Sequence, residues 1–172
     1  MSTSQWILNL ALLAWVLLRN LGTRPLTRAT WTVPLLVVAI AAATFLRDLP
    51  TAGNDVLLDV VLGGAGLLLG LLSTALTRLS HRDGQVVVTA GAAFAAVWVT
   101  VIGGRIAFAE WATGPGSAAV GRFSTEHSIT GADAWTAAFV LMALAMVVAR
   151  LASTAVRARG PVPGRAPAPA IR

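Results

Sequence analysis

Apolar and polar positions in this chain fall into long blocks rather than short alternations. A window of about 19 residues picks out five apolar segments, at about 3–20, 30–48, 55–78, 86–111 and 133–152, each near the roughly 17–25 residues that cross a bilayer as a helix. The pattern predicts an all-α, polytopic transmembrane helical bundle of about five spans over residues 1–156. The first segment carries Trp6 and Trp15 near its ends and a single polar Asn9 between them. The second opens with Trp31 and Pro34, a tolerable place for proline in a first helical turn, and ends in Arg47, Asp48 and Pro50. Asn54 is placed to N-cap the third segment, and Thr130-Gly-Ala-Asp133 resembles a capping box for the fifth.

The connections carry the polar residues. His81, Arg82, Asp83 and Gly84 form a short polar turn between the third and fourth segments, with Asp83-Gly84 as its tight bend. Thr113 to Ile129, rich in Gly and Ser, is the one long internal loop, and loops of that length are functional or disordered more often than merely connecting. Residues 157–172 alternate Pro, Ala, Gly and Arg, cannot bury a core, and are expected to form a disordered tail.

Charge orients the bundle. Arg19, Arg24 and Arg28 follow the first segment, Arg78 and Arg82 follow the third, and Arg150, Arg157, Arg159, Arg165 and Arg172 follow the fifth. Asp48, Asp55, Asp59, Glu110, Glu126 and Asp133 lie at the alternate connections. The positive-inside rule then places the N-terminus outside and the C-terminus in the cytoplasm, and the basic regions share one side only if there are five spans. No basic region precedes the first apolar run and no small-x-small site closes it, so it is expected to remain attached as a span.

Composition narrows the chemistry. Hydrophobic residues make up 56% of the 172 positions and charged residues 12%, against roughly 25% charged in a soluble domain. All 13 basic residues are arginine and cysteine is absent, so the chain can form no disulfide. With two histidines, expected on opposite sides of the membrane, it is not expected to hold a metal or a haem by itself, and no cofactor is expected. His81-Arg82-Asp83 spells a kinase triplet without the surrounding kinase motifs, and the motifs of intramembrane proteases are missing. The chain is read as a non-enzyme. Its expected partners are the bilayer, a membrane-protein partner, and anionic lipid under the basic loops and tail at roughly 1 kcal/mol per arginine; no folded nucleic-acid reader accompanies the arginines.

One constellation is set inside the bundle. On a helix, Asp55, Asp59, Gly63, Gly66, Gly70, Ser73, Thr74 and Thr77 share about 100° of arc, acidic at one end and small along the rest. Two aspartates four apart call for a cation, and Arg105 of the fourth segment matches Asp59 in depth, with Arg47 as the other candidate. Glu110 lies five residues beyond Arg105 and should face a different neighbour. The cluster reads either as a structural charge network or as an outward-facing site for an ion or an anionic solute. Gly66 and Gly70 form a GxxxG that lets a neighbouring helix approach. The simplest packing sets Phe94 and Trp98 of the fourth helix against that glycine face and Arg105 against Asp59.

Gly66-Leu-Leu-Leu-Gly70, Thr77-Arg78, Arg82-Asp83-Gly84-Gln-Val86, Trp98 and Gly104-Arg105, with Arg24-Pro25-Leu26 and Pro34 upstream, look like the CcdC-like family of small bacterial integral membrane proteins, a domain of unknown function. The resemblance covers roughly residues 10–112. It implies a polytopic helical protein of the bacterial plasma membrane and, through the family's name, an association with cytochrome c maturation; it brings no catalytic residues. The leading expectation is a non-enzymatic membrane scaffold or assembly partner, and the alternative is a small carrier or sensor binding at the Asp/Arg cluster.

Overall fold

The computed structural model describes Ala14 and residues 22–45, 51–82 and 85–160 of the chain. Apart from Ala14, the first apolar segment lies outside the described residues, as do Arg47 and residues 161–172. Most of the described chain is helical: α1 (Arg28–Phe45), α2 (Asp55–Ala75), α3 (Ala92–Thr113), α4 (Ser117–Glu126) and α5 (Ala132–Arg159). Three of these, α2, α3 and α5, are long and apolar enough to cross a membrane, and α1 is apolar but shorter. These helices are those of a membrane protein.

The fold is not purely helical. Three strands, β1 (Gly22–Pro25), β2 (Thr77–Arg82) and β3 (Gln85–Ala90), form an antiparallel sheet in the order β1-β3-β2. The third apolar segment therefore ends at Ala75 and passes into β2, and the fourth gives up its first residues to β3 before α3 starts after Gly91. Val86, Val87, Val88 and Thr89 are β-branched and suit a pleated surface, yet a hydropathy window cannot tell such a run from the head of a span. Arg82 pairs with Gln85, which leaves only Asp83 and Gly84 to join the hairpin.

The register fixes the path of the chain. Gly22 and Thr77 both stand opposite Ala90, one on each side of β3, so the end of the first segment, the exit of α2 and the entry of α3 meet at one level. From this sheet end the chain leaves through α1, returns through α2, leaves again through α3 and comes back through α5. Pro34 falls in the second turn of α1 rather than the first, because the helix already begins at Arg28; its missing N–H leaves the Thr30 carbonyl without that helical bond.

Among the described residues, the most extensive contact is between α2 and α5. The two run parallel, with Gly66 and Gly70 of α2 set against the backbone of Met142 and Met146 on α5. A side chain at Gly66 would overlap the Met142 carbonyl oxygen, and one at Gly70 would overlap the Met146 carbonyl oxygen and the Ala149 methyl. The expected partner of the glycine face was the fourth segment; the structure gives it the fifth. The physical reason lies in side-chain size. Ala138, Met142, Met146 and Ala149 are buried on α5 and let the backbones close up, whereas α3 turns Phe94, Trp98 and Phe108 toward α5 and is held off by them. Thus α5 is the hub, packed by α2 and α1 and, through these bulky side chains, by α3.

Candidate functional site

At the end of the bundle away from the sheet, Asp55 is 1% exposed and receives two hydrogen bonds from one residue, from the Thr130 N–H at 2.8 Å and from the Thr130 hydroxyl. Thr130 therefore does not close a capping box with Asp133: the N-cap position of α5 is Gly131, with no side-chain cap bond. Asn54 occupies the N-cap position of α2, but its side chain also looks elsewhere, donating to the His127 carbonyl at 2.9 Å while its N–H donates to Ser128 O at 3.0 Å. Gly53 sits at φ +56°, with the Ser128 carbonyl where a side chain would be. These bonds staple the start of α2 to the approach of α5.

The long loop is ordered, and most of it is α4. Trp135 of α5 donates its indole N–H to Ser124 Oγ at 3.1 Å. Phe108 lies 5.1 Å from the Trp135 ring and 5.2 Å from Phe139, and Phe123 stacks on His127 at 4.1 Å. An aromatic layer thus closes this end of the bundle.

Asp59 lies one turn into α2 from Asp55, at the mouth of a lateral groove of about 440 Å³. One wall is Val60, Gly63, Gly64 and Leu67 of α2, and the other is Leu141, Leu144, Ala145 and Val148 of α5. Asp59 is the one polar side chain among its described lining residues. The structure does not bring Arg105 to it. Arg105 is exposed on α3, which meets α2 only marginally because α5 has taken the glycine face. Glu110 is half-buried in the last turn of α3 near Trp111, and Trp98 is half-buried against Phe94, with ring centroids 6.0 Å apart.

The sheet end holds a polar cluster that the sequence pattern did not single out. The Arg150 guanidinium stands 4.6 Å from the centre of the Phe94 ring and 5.8 Å from that of Trp98, a cation over two aromatic faces. One turn on, Ser153 Oγ donates to Thr74 Oγ1 at 2.8 Å, and Arg157 donates to the Thr74 carbonyl and, at 3.2 Å, to the Thr77 carbonyl. Arg157 is therefore part of α5 rather than of a tail. The available signal was the spacing of Phe94 and Trp98, four apart on one helix face, which is a seat for a cation.

Beyond this cluster the sheet shows an exposed basic surface. Arg78, Ser80 and Arg82 share one face, registered against Thr89, Val87 and Gln85, with Thr23 and Pro25 of β1 alongside. Thr23 and Thr89 are hydrogen-bonded through their hydroxyls at 2.9 Å. A shallow depression of about 360 Å³ on this face is lined by Thr23, Pro25, Arg82, Gln85 and Val87. Arg24 and Arg28 are exposed at the adjoining edge. Among the described residues, no three of His, Cys, Asp or Glu gather as metal ligands.

Comparison with known proteins gives one family. The family model described as CcdC protein matches residues 2–159. No curated protein and no solved structure matches the chain.

Proposed function

Because the chain belongs to the CcdC protein family, we propose that it works in the bacterial plasma membrane as a non-enzymatic scaffold or assembly partner, with five spans, N-terminus outside and the sheet on the cytoplasmic side. The observation that carries this reading is the sheet itself. Two loops more than 50 residues apart are hydrogen-bonded into one sheet, in which Thr23 and Pro25 of the first share a face with Arg78 and Arg82 of the second. A topology signal alone needs only the charges; an ordered surface with a fixed spacing of Arg78, Arg82 and the Thr23 hydroxyl of β1 is what a protein partner recognises. The partner that fits is an acidic segment of another membrane protein, with anionic headgroups neutralising Arg24 and Arg28 at the edge.

Site-specific photocrosslinking tests this. A photoreactive residue at Gln85 is expected to give one discrete protein adduct in intact cells, absent when the probe stands at Val99 and lost in an Arg78→Glu, Arg82→Glu variant. If Gln85 captures only lipid, as Val99 does, the scaffold reading fails. The rival reading, a carrier or sensor at Asp59, draws less support, since the described walls around that carboxylate are apolar and coordination of an ion needs several polar ligands.

A further inference from the structure

We propose that the outer edge of β2 takes up an extended acidic segment of a partner protein as a further strand of the sheet, with two carboxylates four residues apart set against Arg78 and Arg82. The inference rests on the reading of the sheet as a partner-binding surface and adds the way in which the partner is held.

The register decides which backbone groups are left to pair. Arg82 and Gln85 close the hairpin and exchange hydrogen bonds, and by alternation so do Ser80 with Val87 and Arg78 with Thr89. The N–H and C=O groups of Thr77, Leu79 and His81 therefore point away from β3. Arg157 reaches the Thr77 carbonyl from that side, at 3.2 Å. Among the described residues, no hydrogen bond reaches the outward groups of Leu79 and His81. At the opposite edge the same alternation turns Thr23 and Pro25 outward, since the Leu26 N–H is bonded to Val86 O at 2.9 Å. Proline has no N–H to offer a further strand and blunts an edge wherever it stands on one. The sheet is thus closed to extension along β1 and open to it along β2.

Charge selects the occupant. Arg78 and Arg82 are exposed and lie on one face of the sheet, with Ser80 between them. A second copy paired antiparallel about Ser80 would set Arg78 opposite Arg82 twice over, and like charges directly opposite are destabilising. An acidic strand reverses the sign. On the outer side of β2, positions opposite Arg78 and Arg82 are the pairs without hydrogen bonds, in which Cα atoms stand only about 4.5 Å apart, so a carboxylate there reaches its guanidinium. Leu79 and His81 meanwhile exchange backbone bonds with the residues that flank the middle of the added strand. Among the described acids of this chain, Asp55, Asp59, Glu110, Glu126 and Asp133 belong to the opposite end of the bundle, so the carboxylates come from another molecule.

The test uses the full chain in phosphatidylcholine nanodiscs and a synthetic peptide, Thr-Val-Glu-Val-Thr-Val-Glu-Val-Thr, whose glutamates are four apart. Without peptide, hydrogen exchange read residue by residue should find the Leu79 and His81 amides exchanging fast; slow exchange there would overturn the proposal, because the edge would already be paired. With peptide, both amides should slow by roughly tenfold or more. Methylating the backbone nitrogens of the two central valines leaves the charges intact and removes two interstrand donors, which should weaken binding by roughly tenfold. Equal binding of the methylated peptide would overturn strand addition in favour of charge alone, and binding of neither would overturn it outright. The same peptide with lysine for glutamate should bind only to an Arg78→Glu, Arg82→Glu variant, a rescue that also shows the variant keeps its edge; lysine peptide on the native chain would count against the proposal. The Gln85 cross-link separates the two readings. A discrete adduct in cells beside a failed peptide test keeps the scaffold role and removes only strand addition, whereas capture of lipid alone removes the scaffold role itself.

Discussion

Arg157 of α5 donates to the backbone of α2 where that helix ends, its guanidinium bridging the carbonyl oxygens of Thr74 and Thr77. The last carbonyls of a helix have no partner of their own, and here α2 cannot borrow from a continuing turn because the chain leaves it as β2. Together with the Thr77 hydroxyl, which donates to the Thr74 carbonyl at 2.7 Å, this side chain closes the joint between helix, strand and hub.

Replacing it should loosen that joint. Arg157→Ala is expected to lower stability by about 1 kcal/mol, the size of a partly exposed charged hydrogen-bonding group. Arg157→Lys should restore less than half, since an ammonium does not present the planar fork that spans two acceptors. Thermal unfolding of the purified protein in detergent measures both, and an unchanged Arg157→Ala would remove the bridge from the account.

The glycines of α2 should respond in opposite ways although they lie within one turn or two of one another. Gly66→Ala drives a methyl into the Met142 carbonyl and is expected to cost about 1–3 kcal/mol by overpacking. Gly64→Ala meets no described atom within 4 Å and is expected to be neutral or mildly stabilising through helix propensity. Monodispersity after extraction and the unfolding midpoint distinguish the two; equal effects would contradict the α2–α5 contact.

Thr130→Val keeps shape but removes the hydroxyl that Asp55 accepts from. A buried carboxylate then loses one of its two bonds, and the expected cost is about 1–3 kcal/mol. Thr136→Val, on the exposed first turns of α5, is the control. Matching midpoints for the two variants would mean that Asp55 draws nothing from Thr130.

Thr23→Cys with Thr89→Cys should cross-link readily, because their hydroxyls already touch at 2.9 Å across β1 and β3. The same pair tests whether the first and third connections lie on one side of the membrane. Failure to link, with both thiols reactive from opposite sides, would dissolve the sheet and the topology together.

Arg150, Phe94 and Trp98 predict a coupling rather than a single loss. In a double-mutant cycle of Arg150→Gln and Trp98→Leu, the interaction free energy is expected at about 0.5–2 kcal/mol. Strict additivity would mean that the ring and the guanidinium are neighbours without attraction.

Much of the architecture was legible in the sequence, and the misreadings have identifiable causes. The apolar blocks that became α2, α3 and α5 were visible by length and hydropathy. The polar break between the third and fourth segments was visible too, and Arg82 pairs with Gln85 across it, but the strands were not legible, because Val86 to Ala90 add to the hydropathy of the span that follows. The small face of Gly66 and Gly70 could be read from their spacing, while its partner could not: a glycine face accepts any helix, and the choice of α5 over α3 turns on where Phe94, Trp98 and Phe108 point. Asn54 does stand at the N-cap of α2, but its side chain bonds His127 instead of capping, and the capping box read at Thr130 does not form, for a related reason. A local motif supplies the right atoms at a helix start, and a residue such as Asp55, 75 positions away from Thr130, claims them. Arg150 was taken as the edge of a span, whereas it is a cation held between the helices.

The parallel docking of α2 on α5 has a consequence for how the protein is made. Thr74 meets the backbone of a residue 76 positions further along the chain. At ribosomal speeds of about 5–20 residues per second, α2 waits on the order of 4–15 s for the helix that will cover its glycines. During that interval its bare face lies in lipid, which is as apolar as leucine and exerts no pressure to close it. Insertion and assembly are therefore separate events in time, and it is the emergence of α5 that gives α2 its packed partner.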